Sequence, residues 1–331
     1  MFIIENYSTA VLFCIVTMLC WGSWANTQKL AASSWRFELF YWDYVIGIVL
    51  FAVILAFTFG SIGNGGRSFL SDIHQASSSN ILSAMLGGII FNAANILLVA
   101  AIAIAGMSVA FPVGIGLALV IGVIVNYLDH PVGNTLFIFS GVTLIAVAIL
   151  LNAYAYRKTS ASNSKVSNKG LLLSILAGVL MGFFYKYVAG SMFPDFNIPE
   201  AGKLSPYTAI FFFSIGILAS NFLFNTALMM KPFVGSSVSY RDYFSGSIRN
   251  HLTGILGGII WCIGMSFSII ASGKAGAAIS YGLGQGATIV AALWGIIIWK
   301  EFSNAPQGTS AILNSMLLLY VLGLILLIAA R

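Results

Sequence analysis

Nine residues have chemistry that does not suit the apolar runs around them. Asn92 and Asn95 are three apart, as are Trp21 and Trp24, and Tyr281 and Gln285 are four apart. On a helix each such pair shares one face. A carboxamide offers both a donor and an acceptor, and an indole offers a flat apolar surface. These six residues are therefore candidates to bind a small polar solute reversibly. The amides would hydrogen-bond a nucleobase edge, a ureide or a sugar hydroxyl, and the indoles would stack on its ring. The competing roles are hydrogen bonds between helices for the asparagines, an interfacial belt for the tryptophans, and helix packing for Tyr281 and Gln285.

The other three residues are ionisable: Asp43 in "YWDY", Glu38 just before it, and Lys186 in "FFYKY". A carboxylate inside a membrane is the common proton carrier of a symporter. Asp43 is the first proton-coupling candidate, followed by Glu38 and Lys186. Asp43 could instead cap a helix or mark an interface, and Lys186 could snorkel to the bilayer surface. His74, His130 and His251 fall in loops or at span ends and are expected to be solvated.

No residue pattern points to covalent chemistry. "GIG" (114–116) and "GQG" (284–286) lack the third glycine of a dinucleotide loop and no strand precedes them. There is no Walker motif. The three cysteines, Cys14, Cys20 and Cys262, lie in apolar runs without metal-ligand spacing. The expectation is a protein that is not an enzyme and has no cofactor and no metal. The net charge of +6 would suit nucleic acid in a soluble protein. Here the basic residues sit in loops and orient the chain in a bilayer, so a nucleic acid polymer is not an expected partner. The expected partners are a small polar solute, protons and lipid.

The elements that must position these residues follow from composition. Hydrophobic residues make up 59% of the 331 and charged residues 7%, against about 25% charged in a soluble domain. Apolar runs of about 20 residues, enough to cross a bilayer, recur from end to end. The fold class is an all-α polytopic membrane protein. Ten spans are predicted at 8–28, 40–61, 81–104, 108–127, 134–154, 170–190, 207–229, 252–272, 276–299 and 310–330. Glu5 is the one charge ahead of the first, which reads as a retained helix rather than a signal peptide.

The polar stretch "YRKTSASNSKVSNK" (156–169) divides the chain into a five-span half, residues 1–155, and a second half, 170–331. "LGGIIF" (86–91) returns as "LGGIIW" (256–261). At that offset Ala105-Gly106 falls on Ala275-Gly276, Phe111 on Tyr281, and Gly114 and Gly116 on Gly284 and Gly286. "PVG" (131–133) answers "PQG" (306–308) after a short insertion. Gly22 and Trp24 match Gly182 and Phe184 more weakly. Five being odd, the second copy starts from the opposite side of the membrane. Such a 5+5 inverted repeat is a mark of secondary transporters. Pro112 and Gly282 hold corresponding places, so both spans are expected to be interrupted there. Ten Lys and Arg lie in the odd-numbered loops and four on the other side. Positive-inside then puts both termini outside the cytoplasm, with a bacterial inner membrane as the expected location.

"CWGSWANTQKL" (20–30), "YWDY" (41–44), "FNAANILLVAAIAIAGMSVAFPVGIG" (91–116), "YRDYFSGSIRNHLTGILGGIIW" (240–261) and "GKAGAAISYGLGQGATIVAALWGIIIWKEF" (273–302) resemble the ureide permease family and its bacterial relatives. Those lie near the glucose/ribose porter and rhamnose symporter families of the drug/metabolite transporter superfamily. The resemblance implies the ten-helix, five-plus-five fold and uptake of small polar nutrients. These would be ureides such as allantoin, nucleobases or, in the sister families, sugars, usually with proton coupling. Export of metabolites or drugs is the alternative within transport.

Overall fold

The protein is described from a computed structural model covering residues 1–63, 65–159, 167–303 and 305–331. Residues 160–166 of the polar linker, Lys165 among them, lie outside the described residues. Among the described residues ten helical segments are long and apolar enough to cross a bilayer. No strand forms beyond one isolated bridge, Met192 to Leu204. Helices are the form in which a lipid-buried chain satisfies its own backbone.

The spans are α1 (Tyr7–Ser23), continued by a 3-10 segment Trp24–Leu30, then α2 (Phe37–Phe57). A short α3 (Phe69–Gln75) precedes α4 (Ser78–Ala105), α5 (Met107–Asp129), α6 (Thr135–Thr159), α7 (Asn168–Ser191) and α8 (Pro206–Met230). A short α9 (Tyr240–Phe244) precedes α10 (Ile248–Ala275). The ninth span is built from α11 (Ala277–Gly284), α12 (Ala287–Leu293) and a π turn, Trp294–Ile298, and the tenth is α13 (Thr309–Ala329). Hydroxyl and amide caps set several of these starts. The side chains of Asn6, Ser77, Ser167, Ser205 and Ser247 accept from the backbone N–H three residues on, meeting one of the orphan donors each helix start leaves.

Two expectations about interruption come out differently. The ninth span breaks at Gln285-Gly286, between α11 and α12. The fourth stays helical through Pro112. Pro112 lies in the second turn of α5, where only one backbone bond is lost.

Helix α4 packs on α7 and α8, and α10 packs on α1 and α2. Helix α2 also meets α8, and α6 lies along α13. Glycine makes the crossings close. A methyl group on Gly88 would drive into the Phe213 carbonyl of α8, and one on Gly258 into the Tyr44 carbonyl of α2. The joints α4–α5 and α10–α11 need no loop. Gly106 (φ 79°, ψ 161°) and Gly276 (φ 83°, ψ 151°) turn the chain in one residue, in a region L side chains avoid. Both termini share one face, where the Tyr7 hydroxyl donates to the Ile328 carbonyl at 2.7 Å. We call this the terminal face, and the opposite one, where α6 ends at Thr159 and α7 starts at Asn168, the linker face.

Candidate functional site

A cavity of about 770 Å³ runs from the middle of the bundle to the linker face. That is within the range of small-molecule sites. Its inner end is aromatic. Trp261 of α10 lies 4.3 Å from Phe91 of α4, centroid to centroid, and 6.0 Å from Trp21 of α1 at 12° between planes. Phe184 of α7 and Trp24 complete this end. The break in the ninth span places Gln285 on the wall, followed by Thr288 of α12. At the mouth, the Tyr156 hydroxyl donates to Glu301 at 2.6 Å and Lys29 lies 3.6 Å from the same carboxylate. The Trp299 indole donates to Asn26 at 2.7 Å.

Hydrogen bonding decides what the amides can offer. The Tyr41 hydroxyl donates to Asn92 Oδ1 at 2.9 Å and accepts from Asn95 Nδ2 at 3.2 Å. Asn92 Nδ2 donates to Ser220 Oγ at 2.9 Å. The chain of bonds ends on Asn95, which lines the cavity and whose Oδ1 accepts no hydrogen bond among the described residues. Gln285 likewise has no side-chain partner there and faces the same space. Asn152 of α6 also lines the cavity, with Oδ1 buried and unpartnered. An unsatisfied buried amide costs about 1–3 kcal/mol, which a solute's hydrogen bonds would recover.

Four of the nine sequence candidates, Trp21, Trp24, Asn95 and Gln285, meet on this wall. Asn92 sits behind it, holding α4 to α2 and α8. Tyr281, one helical turn before Gln285, is fully buried and lies outside the cavity lining. Its hydroxyl lies 3.1 Å from the carbonyls of both Ala118 and Met181. Glu38 is held by Arg36 at 2.6 Å, away from the cavity. Lys186 pairs with Asp129 at 3.2 Å near the terminal face. Asp43 is buried in the second turn of α2, where the Tyr243 hydroxyl donates to it at 2.6 Å and His251 Nδ1 lies 3.0 Å from both its oxygens. His251 is thus engaged rather than solvated. Sequence reasoning did not select Asn152, Phe91, Phe184 or Trp261. A lone amide inside an apolar run was the available signal for Asn152.

Toward the terminal face the bundle is closed. The Tyr185 hydroxyl lies 3.1 Å from Ser268 Oγ, which is 3.2 Å from Ser280 Oγ, and the Cys14 thiol donates to Ser280 Oγ at 3.6 Å. These four buried side chains tie α7, α10, α11 and α1 together.

Ten crossing helices around a solute-sized cavity open to one face define a membrane transport protein. Within that class, the chain belongs to the ureide permease family, whose sequence pattern matches residues 40–170 and 158–330. It is 24% identical over 390 residues to Ureide permease 1 of Arabidopsis thaliana, covering 100% of this chain and 99% of that one. It is 22% identical over 374 residues to Probable ureide permease A3 of Vigna unguiculata, covering 93% and 99%. One solved crystal structure superposes over 96% of both chains with a TM-score of 0.63 at 15% identity, a likeness of fold alone.

Proposed function

We propose that this protein is a secondary transporter that imports a small, neutral, planar solute of the nucleobase, nucleoside or ureide type by alternating access. One observation carries this. The inner cavity joins aromatic faces to the carboxamides of Asn95, Asn152 and Gln285, while the charged pair Lys29–Glu301 stays at the mouth. Rings stack on a planar heterocycle, amides pair with its N–H and C=O edge, and among the described residues the inner wall offers an ionic solute no counter-charge. The plant relatives bear the name ureide permease, which points the same way.

The mechanism would exchange two oppositely oriented five-helix halves, residues 1–155 and 170–331. Helix packing supports this. Exchanging the halves turns the α4 contacts with α7 and α8 into the α10 contacts with α1 and α2. It also exchanges Gly88 with Gly258 and Gly106 with Gly276, each pair in the same role. By the positive-inside rule the linker face is cytoplasmic, so the open cavity is the inward-facing state. Uptake would be driven by the proton gradient.

The test is uptake of labelled uracil, uridine, allantoin, ribose and glucose into proteoliposomes, with and without a pH gradient. Saturable uptake of a heterocycle or ureide is expected. Uptake of the sugars alone would transfer the site to a sugar, whose apolar face the indoles also suit. No uptake of any, with export of an apolar dye, would overturn import.

A further inference from the structure

Three carboxylates among the described residues are more than nine-tenths buried: Glu38, Asp43 and Asp72. Glu38 is bound by Arg36 at 2.6 Å and Asp72 by Arg67 at 2.8 Å. A guanidinium stays charged at every physiological pH, so these two carboxylates keep a permanent counter-charge. Asp43 has none among the described residues. Its partners are His251 and Tyr243, and histidine is the side chain that changes charge near neutrality. The remaining carboxylate pairs with lysine, Lys29–Glu301 and Lys186–Asp129, are substantially exposed.

The surroundings isolate this pair. Helices α2 and α10 close on each other at Gly254, where a methyl group would strike the Asp43 side chain. From α9, Tyr243 faces the carboxylate. Its phenol is held above its ordinary range by burial and by Asp43 itself, so it stays a donor. Arg241 and Asp242 of the same helix are exposed, as is Arg249 at the start of α10. From α8 the nearby polar group is the Asn225 amide, engaged with the Glu38 carbonyl. Lys29 is drawn to Glu301, and Arg36 to Glu38. The His251 side chain is 20% exposed at the start of α10, which gives a proton a way out to the linker face, the cytoplasmic side in this reading.

The pair also touches the cavity. Trp35 lines it and packs edge-on against His251, centroids 5.2 Å apart. The backbone of Gly246 lies against both rings. A charge appearing on the imidazole is therefore felt by a wall residue directly.

We propose that Asp43 and His251 together form the proton-binding site through which solute uptake is coupled to the proton gradient, with Trp35 as the positioning residue that links it to the cavity. The inference rests on the transport reading above. One proton is bound: it adds to His251 Nε2, while Nδ1–H and the Tyr243 hydroxyl keep donating to the carboxylate. The pair passes from a net charge of −1 to 0, and the proton leaves by the same nitrogen in the inward-facing state.

The experiment uses the full chain in proteoliposomes with an internal pH dye. The probe is whichever of uracil, uridine, allantoin, ribose and glucose is taken up most strongly. Wild type is expected to admit protons when solute is added. Asp43→Asn and His251→Gln should lower gradient-driven accumulation and solute-linked proton entry by at least about tenfold, while solute exchange at equal pH stays within about threefold. Tyr243→Phe guards against mere misfolding. It removes one donor from the carboxylate, and should keep exchange while moving the pH midpoint of accumulation to higher pH. Solute-linked proton entry that survives in both Asp43→Asn and His251→Gln would overturn the proposal, as would an unmoved midpoint in Tyr243→Phe. Wild-type uptake without proton movement would overturn it and leave the transport reading standing. No uptake of any probe would remove both.

Discussion

At the scale of the residue, partner counting separates side chains that hold the protein from those that can hold a solute. Asn92 and Asn95 look equivalent in sequence, yet Asn92 is engaged at both ends and Asn95 keeps a free oxygen. Replacing Asn95 or Gln285 with leucine should raise the solute KM about tenfold or more, since losing one buried hydrogen bond costs about 1–3 kcal/mol. Thermal unfolding in detergent should change little for Gln285→Leu, while Asn95→Leu should lose about 1 kcal/mol with its bond to the Tyr41 hydroxyl. Equal KM values in mutant and wild type would take that side chain off the site. Tyr281→Phe should do the reverse, leaving KM within about twofold and lowering stability by about 1 kcal/mol, because its hydroxyl serves two backbone carbonyls.

At the scale of the element, small residues decide which helices meet. Gly258→Val would push a side chain into the Tyr44 carbonyl. It should cost about 3 kcal/mol through forced displacement of α2, read as a lower melting temperature and lower yield. Gly276→Ala should cost about 1–3 kcal/mol from its positive-φ extended backbone, a region open essentially to glycine. Gly116 is the control. Nothing would meet its methyl group, so Gly116→Ala should be neutral or stabilise by about 0.5–1 kcal/mol. If Gly276→Ala proves as benign as Gly116→Ala, the single-residue joint between α10 and α11 is not under the constraint argued here. The break at Gln285 belongs to this scale too. It falls after the last bond of α11, from the Gln285 N–H to the Tyr281 carbonyl at 3.0 Å, so the two residues still share a face: α5 and α7 enclose the Tyr281 hydroxyl, while Gln285 meets the cavity.

At the scale of the whole molecule, two faces behave oppositely. The terminal face is shut by Tyr185, Ser268, Ser280 and Cys14. Under the repeat offsets, Tyr185 corresponds to Ala25 and Ser268 to Leu98, and both of those line the open cavity. If the halves exchange conformations, Ala25 and Leu98 meet when the linker face closes. Cysteines placed at both positions should then form a disulfide under mild oxidation and stop uptake, with recovery on reduction. A disulfide that forms while uptake continues would rule out this exchange.

The legibility of the protein divides along the same lines. Ten crossings were readable because lipid leaves the backbone one economical form, and uninterrupted apolar length reports it directly. The glycines at 88, 106, 258 and 276 stood out in sequence, because a close crossing or a positive-φ turn tolerates almost nothing else. Trp21, Trp24, Asn95 and Gln285 were selected because a polar or indole group inside an apolar run is unusual. What sequence could not separate was Asn95 from Asn92, or Gln285 from Tyr281. Helical spacing places both members of a pair on one face without saying what stands opposite. Nor could it find His251, 208 residues from Asp43, or recognise Asn152 and Trp261 as wall rather than filler. The amino-acid sequence determined the class, the crossings and the kind of solute chemistry available, since these depend on composition and local period. Tertiary structure decided which groups are satisfied and which face empty space, because a hydrogen bond's partner comes from another helix, and only packing brings the two within 3 Å.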